Sequence, residues 1–424
     1  MNKKPIMLVA MLCVLPAVNV SANVDNLHIN TKILTLKQAL INTEQQNPVL
    51  KRNPYHQKIV TALKAQASLT PNPILRVEAE NLLGTNNARG LQGAEVTLAL
   101  SQLIELGDKR QSRVSYATAN IKAQAIQYQN TRLALLATTA ERYYEALKFQ
   151  RLLSLNNERK SVVAKALKAI EQRANAGAAS QADVTRMHYA LSQVALDKAM
   201  LTSKFKRARL SLNELWIDEQ EITFLAGNMR VITALKSEQA LLDAVNKAPE
   251  FALLQQQYLQ QTANLTLQKA NGQSDISLGG GVRYNQQSDT SSLVFSFSMP
   301  LQLSNANSGN IKAASSELAL LNEQQGQLRI QLRQQVRTLY AYYQGNVDQA
   351  TLLTQQIIPH AHSLIEQSLK SYQRGQISVL QLLDAQHALF NSKRALIATH
   401  AELYQVLLTL ERLTGHSLIE THQS

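Results

Sequence analysis

GAASQADVTRMHYAL, Gly177 to Leu191, lies over GQISVLQLLDAQHAL, Gly375 to Leu389, at an offset of 198 residues, with Gly, Ser, Ala and Leu coinciding at four places. Upstream, QALINTEQQNPVL from Gln38 lies over QALLDAVNKAPEF from Gln239 at an offset of 201, with a proline ten residues on in each, Pro48 and Pro249. Two such matches at nearly one spacing describe a chain that states one design twice. Each half carries two short alternating strands, a very long polar helix, a glycine-marked turn and a returning helix. The expected division is a leader at 1–22, a first repeat at 23–215, an inter-repeat segment at 216–236, a second repeat at 237–415 and a polar tail at 416–424.

The strands are read from a period of two. Between Ile74 and Leu82, Leu75, Val77 and Ala79 alternate with Arg76, Glu78 and Glu80; from Glu95 to Leu103, Val96, Leu98 and Leu100 alternate with Thr97, Ala99 and Ser101. The second half repeats this at 275–285 and 292–303, with Leu278, Val282 and Tyr284, then Leu293, Phe295 and Phe297, on one side. Strands of this length, apolar on one face and polar on the other, match a lipid-facing barrel with a wet lumen. Four of them cannot close a barrel, and open edges in lipid cost several kcal/mol per unpaired backbone group. Three copies would supply twelve.

Between the strands and the turns, 108–175 and 307–374 contain few helix breakers, and each would run about 100 Å if helical. In the second span Leu318, Leu321, Leu328, Leu332, Val336, Leu339 and Tyr343 recur at coiled-coil spacing. Pro359 is expected to kink that helix, since it lacks a backbone donor and clashes with the turn before it. Aromatic residues make up only 5% of the chain, which favours helices packed through alanine and leucine over a thick core. A short extended piece is expected at Ile222 to Leu225. The tip turns fall at 176–182 and 375–379, where Gly177 and Gly375 can take the left-handed conformation that ends a helix.

Lys3 and Lys4, an apolar run to Val20 and Val20-Ser21-Ala22 fit a secretory leader cleaved before Asn23. The single cysteine, Cys13, lies in that run, so the mature chain would have neither disulfides nor thiolate metal sites. The formal charge of +13 is scattered along the chain; Lys204 to Arg209 is its one cluster, without stacking aromatics. A solvated helix face accounts for it better than nucleic acid does, and no nucleic-acid partner is expected. Gly279-Gly280-Gly281 lies inside an alternating strand, not before a helix, and is no phosphate loop. His360 and His362 point to different sides of a helix, and His188 and His387 sit near the two tips as polar residues. No nucleophile elbow, His-Glu-x-x-His or cysteine motif occurs, so the expectation is no enzyme, no cofactor and no resident metal.

SQLIELGDKR from Ser101, MPLQLSNANSGNI from Met299, and the tip sequences GAASQADV and YQRGQISVLQLLDAQ together resemble the TolC-like outer-membrane efflux ducts, in particular the branch serving cobalt-zinc-cadmium type pumps. The resemblance covers nearly all of the mature chain. It implies a mainly α fold with a β-barrel portion: a homotrimer whose twelve strands span outer-membrane lipid and continue into a periplasmic helical tunnel. It also implies an inner-membrane proton-driven pump and a periplasmic adaptor (a membrane fusion protein) as partners, with heavy-metal cations as cargo. Ducts for multidrug efflux or type I secretion, and a periplasmic coiled-coil structural or adaptor protein, are the alternatives. By the same resemblance, Gln381 and Asp384 occupy the pore constriction, where only Asp384 keeps an acid. Asp183 and Tyr372 are implied to form a latch hydrogen bond that holds the tip shut, with Ile377 where the multidrug members carry an arginine.

Overall fold

The computed structural model describes residues 33–83, 90–217, 222–229, 235–301 and 304–415. The expected leader, the loop at 84–89, part of the inter-repeat segment and the tail at 416–424 lie outside the described residues. The first half runs through β1 (Ile33–Leu34), α1 (Leu36–Gln46), α2 (Pro48–Lys51), α3 (Asn53–Ala67), β2 (Ile74–Glu80), β3 (Glu95–Ile104), α4 (Lys109–Asn175) and α5 (Gln181–Asn213). After β4 (Phe224–Leu225), the second half runs through α6 (Glu238–Ala244), α7 (Pro249–Asn271), β5 (Ile276–Asn285), β6 (Thr290–Ser298), α8 (Ser308–Leu352), α9 (Ile358–Gln373) and α10 (Val379–Thr414).

One antiparallel sheet joins the halves in the order β2-β3-β5-β6. Its register aligns Leu75, Leu100, Gly280 and Phe295 across all four strands, and likewise Val77, Leu98, Val282 and Leu293. Because side chains alternate, this places every expected apolar position on one face and Arg76, Thr97, Arg283 and Ser292 on the other. That apolar face has no cover among the described residues: Leu75 is 65% exposed and Phe295 83%. On the polar face, a Cβ at Gly281 would overlap the Leu98 carbonyl oxygen and stand 2.7 Å from Ala99 Cα. Gly281 therefore lets β3 and β5, and with them the two halves, approach closely.

Helices α3, α4, α7 and α8 continue the four strands and pack side by side in the same order. Further from the sheet, α5 and α10 take over the places beside α4 that α3 and α7 leave. At the level of the handover a core of Tyr143, Tyr144, Leu147, Leu212, Trp216, Tyr404 and Leu407 binds both halves. The Tyr143 hydroxyl reaches the carbonyls of Leu34 (3.1 Å) and Ala226 and fastens the small parallel pair β1–β4; burial pushes its pKa up to about 12.

The strand-to-helix junctions explain the two motifs that carry the family resemblance. In the first half, Gly107 (φ +70°) and Asp108 (φ +55°) turn β3 into α4. Lys109 then reaches Asp275 at 2.6 Å, and the same carboxylate accepts from the Leu106 amide at 3.0 Å. Arg113 forks onto Glu105, which holds the guanidinium pKa above its ordinary value. Three cations in the first turns of a helix oppose its dipole; Glu105 and Asp275 offset them, while Arg110 and Arg113 donate to the free carbonyls of Ser68 (2.6 Å) and Leu69 (3.1 Å) just beyond α3. The second half solves the same problem without charge, through the Asn307 amide donating to the Gln268 carbonyl at the end of α7 at 2.6 Å.

Element ends differ from expectation for local reasons. Strand β2 stops at Glu80, two residues early, because Asn81 takes φ +54°. Strand β6 spans 290–298 where 292–303 was expected, since Pro300 cannot donate to a ladder. The second long helix is not continuous over 307–374: a π-helical turn, Leu353–Ile357, precedes Pro359 at the second position of α9. The wider turn absorbs the i–4 partnership that proline removes.

Two outcomes test this construction. Gly281→Val is expected to lower the unfolding temperature in detergent sharply, whereas Gly280→Ala on the outer face, with only the Phe295 ring 3.9 Å away, changes it little. Asp275→Ala leaves the Lys109 ammonium, 10% exposed, without its partner and should cost about 3 kcal/mol. Adding Lys109→Met should restore part of that loss, measured by denaturant unfolding.

Candidate functional site

The candidate site is the narrow end of the helical body, where both hairpins turn. The two turns are built alike. Gly177 (φ +72°) ends α4, with the Ala178 amide donating to the Arg173 carbonyl at 2.7 Å and the Gly177 amide to Ala174 at 3.0 Å. Gly375 (φ +76°) ends α9, with Gln376 donating to Ser371 and Gly375 to Tyr372, both at 2.9 Å. This double bond pattern around a left-handed glycine satisfies the last carbonyls of each helix. The returning helices start with equivalent caps. Ser180 Oγ accepts from the Asp183 amide (3.1 Å), and Ser378 Oγ accepts from the Gln381 amide (3.4 Å). Each third-position side chain returns a bond to its serine, Asp183 at 2.8 Å from Ser180 Oγ and Gln381 at 2.9 Å from the Ser378 amide.

The caps change the roles expected for two residues. Asp183 does not bond the Tyr372 hydroxyl; its carboxylate is occupied at Ser180, because the nearest donors lie on its own helix start. The structure does bring the pair into one neighbourhood. Tyr372 is 5% exposed within the apolar cluster of Val163, Ile170, Met187 and Leu382, and burial raises its pKa, with Arg173 lowering it and Asp183 raising it further. Gln381 likewise spends its carbonyl oxygen on Ser378, whereas Asp384, one turn on, is exposed and makes no side-chain hydrogen bond or ion pair among the described residues. The spacings Ser180 to Asp183 and Ser378 to Gln381 are capping-box signatures, the signal by which both roles could have been found in the sequence.

Arg173 was not singled out by sequence reasoning. Its guanidinium lies 4.9 Å from the centroid of the Tyr372 ring, donates to the Tyr372 carbonyl, and donates to the Ala178 carbonyl at 3.3 Å. Above the turns, Arg159 of α4 pairs with Asp197 of α5 at 2.9 Å, and Arg394 of α10 approaches the same carboxylate at 3.7 Å. Lys393 meets Glu158 at 2.6 Å. These pairs tie α4, α5 and α10 together. His387 lies next to Asp384 on the exposed side of α10; partial burial and then the charge of Arg159 lower its pKa, against the opposing pull of Asp384.

Of the other histidines, His362 approaches Glu366 at 3.3 Å, and His188 approaches Glu171 at 3.5 Å. Among the described residues, no group of three His, Cys, Asp or Glu is placed to hold a metal. No described helix is long and apolar enough to cross a membrane. On the polar face of the sheet, Arg283 contacts Glu80 and Glu95, both at 3.3 Å, and Thr97 at 3.0 Å.

Comparisons with known proteins agree with this anatomy. The chain is 22% identical over 353 residues to the cobalt-zinc-cadmium resistance protein CzcC of Cupriavidus metallidurans, covering 82% of each. Among solved structures it resembles CusC (TM-score 0.74, 15% identity, 89% of this chain and 91% of that one). It also resembles VceC from Vibrio cholerae (0.70, 16%, 90% and 96%) and the open state of the MtrE channel from Neisseria gonorrhoeae (0.71, 16%, 90% and 89%). At such identities these structures speak for the fold. The model of one family, described as outer membrane efflux protein, matches residues 58–216 and 241–416, one stretch in each half. The chain, with its lipid-compatible sheet and its paired helical hairpins, belongs to the outer membrane efflux protein family.

Proposed function

We propose that three copies of this chain close a twelve-stranded barrel in the outer membrane, continuous with a helical tunnel, and serve as the exit duct of a tripartite efflux system. One observation carries this reading: the four-stranded sheet has an uncovered apolar face and two unpaired edges, β2 and β6, and its strands continue into helices as long as α4, about 100 Å. A sheet with open edges is not viable in lipid, so the edges must be closed by other copies. The strand directions allow it, since β6 of one copy would meet β2 of the next antiparallel. A periplasmic coiled-coil protein would have no use for the apolar face.

The partners of this reading are a periplasmic adaptor and an inner-membrane proton-driven pump, supported by membership of the outer membrane efflux protein family. For cargo we favour heavy-metal cations, supported by the likeness to a cobalt-zinc-cadmium resistance protein across 82% of the chain. Multidrug efflux and protein secretion are the other cargoes such a duct could carry. A conduit gains nothing from a tight site, since whatever binds must also leave. In the trimer, the turns at Gly177 and Gly375 form the periplasmic end. Asp384 contributes a ring of three carboxylates just inside it, with Gln381 at its lower rim.

Two measurements test the proposal. Deleting the gene and growing the cells on a panel of metals and drugs should raise sensitivity to divalent metals; unchanged metal tolerance with new drug sensitivity would transfer the duct to a multidrug pump. In planar bilayers with a salt gradient, Asp384→Asn should shift the reversal potential toward zero by weakening cation preference. An unaltered reversal potential would remove Asp384 from the conduction path.

A further inference from the structure

We infer that Arg173 is the gate-positioning residue of this duct, a clamp within each chain that fastens one tip turn to the other. This rests on the duct reading above and assigns to Arg173 the role that a direct bond between Asp183 and Tyr372 was expected to fill. Among the described residues, the guanidinium is the one side chain seen to engage backbone carbonyls at both turns. It holds Ala178 of the first turn at 3.3 Å, takes the Tyr372 carbonyl at the end of α9, and lies over the Tyr372 ring at 4.9 Å. Arg173 itself lies in the last turn of α4 and the Tyr372 carbonyl in the last turn of α9, where partial negative charge gathers, so one cation complements two helix ends at once. A planar fork with several donors can do this while lying over an aromatic face; a lysine ammonium cannot.

The second turn is shaped to receive it. A Cβ on Gly375 would stand 3.3 Å from the guanidinium nitrogen, and φ of +76° disfavours any side chain there. By contrast, a Cβ on Gly177 would meet nothing within 4 Å. The clamp is also one-sided. At the repeat offset of 198, the counterpart of Arg173 is Ser371, too short to reach back. Each copy thus carries one clamp, and a closed ring of three carries three. Because its acceptors are backbone carbonyls and a ring, the clamp needs no carboxylate: Asp183 remains a helix cap, and Tyr372→Phe retains both the ring and the carbonyl.

The test is conductance of the full-length trimer in planar bilayers. Arg173→Gln and Arg173→Lys should each raise mean conductance about fivefold or more by shifting the tip toward its open population, while Tyr372→Phe leaves it near wild type. Gly375→Ala should raise it as well, and the double variant Arg173→Gln with Gly375→Ala should gain less than the sum of the two. Circular dichroism and retention of the trimer check that each variant folds. Wild-type conductance in Arg173→Gln overturns the clamp without touching the duct, as does an increase confined to Tyr372→Phe. Absence of any conductance from the wild-type trimer overturns the duct reading and the clamp with it.

Discussion

A backbone amide or carbonyl in hydrocarbon has no water to turn to, and the rest of this molecule is arranged around that fact. The sheet β2-β3-β5-β6 offers lipid an apolar face, yet leaves two strands with a full row of unmatched donors and acceptors. Only closure removes such edges. In the proposed assembly, closure by further copies of the same chain sets the number of strands in the barrel. It also sets the number of helices in the wall, because α3, α4, α7 and α8 follow the strands in unbroken order. The duct is thus a consequence of the membrane requirement carried downward through the junctions. These are correspondingly well fastened, by Lys109–Asp275 and Arg113–Glu105 in one half and by Asn307 in the other.

Duplication explains the wall, and departures from duplication explain what is specific to this chain. The two turns are congruent in glycine conformation, hydrogen bonding and serine cap, so the repeat extends to individual bonds. Against that background three differences bear on the proposed gate. Asp183 stands where the second half has Gln381, Asp384 where the first has Arg186, and Arg173 where the second has Ser371. Each sits at the tip, where the proposed gate would act.

Much of this was legible in the sequence because it depends on local periodicity. The alternation of Leu75, Val77 and Ala79 identifies a strand and its lipid face without knowledge of the partner strand, and the observed register places these residues with Leu100, Leu98 and Val96 as that alternation requires. Gly177 and Gly375 mark the turns because left-handed backbone is nearly a glycine property. What escaped depends on competition or distance. Asp183 had two possible partners, and the nearer one, Ser180, took it; the spacing carried that signal, though it did not exclude the other. Arg173 meets Tyr372 across 199 residues of sequence, and no short pattern encodes such a contact. The π-helical turn before Pro359 was visible only as an interruption, since proline announces a lost bond without specifying how the preceding turn rearranges.

The central claim is that one chain supplies a third of a closed barrel and tunnel. Native mass spectrometry of the protein extracted from outer membranes in mild detergent tests it most directly. The account predicts a particle of three identical chains, stable after the detergent is stripped in the instrument. A particle of one chain, or of any number whose strands cannot close the sheet, would contradict it.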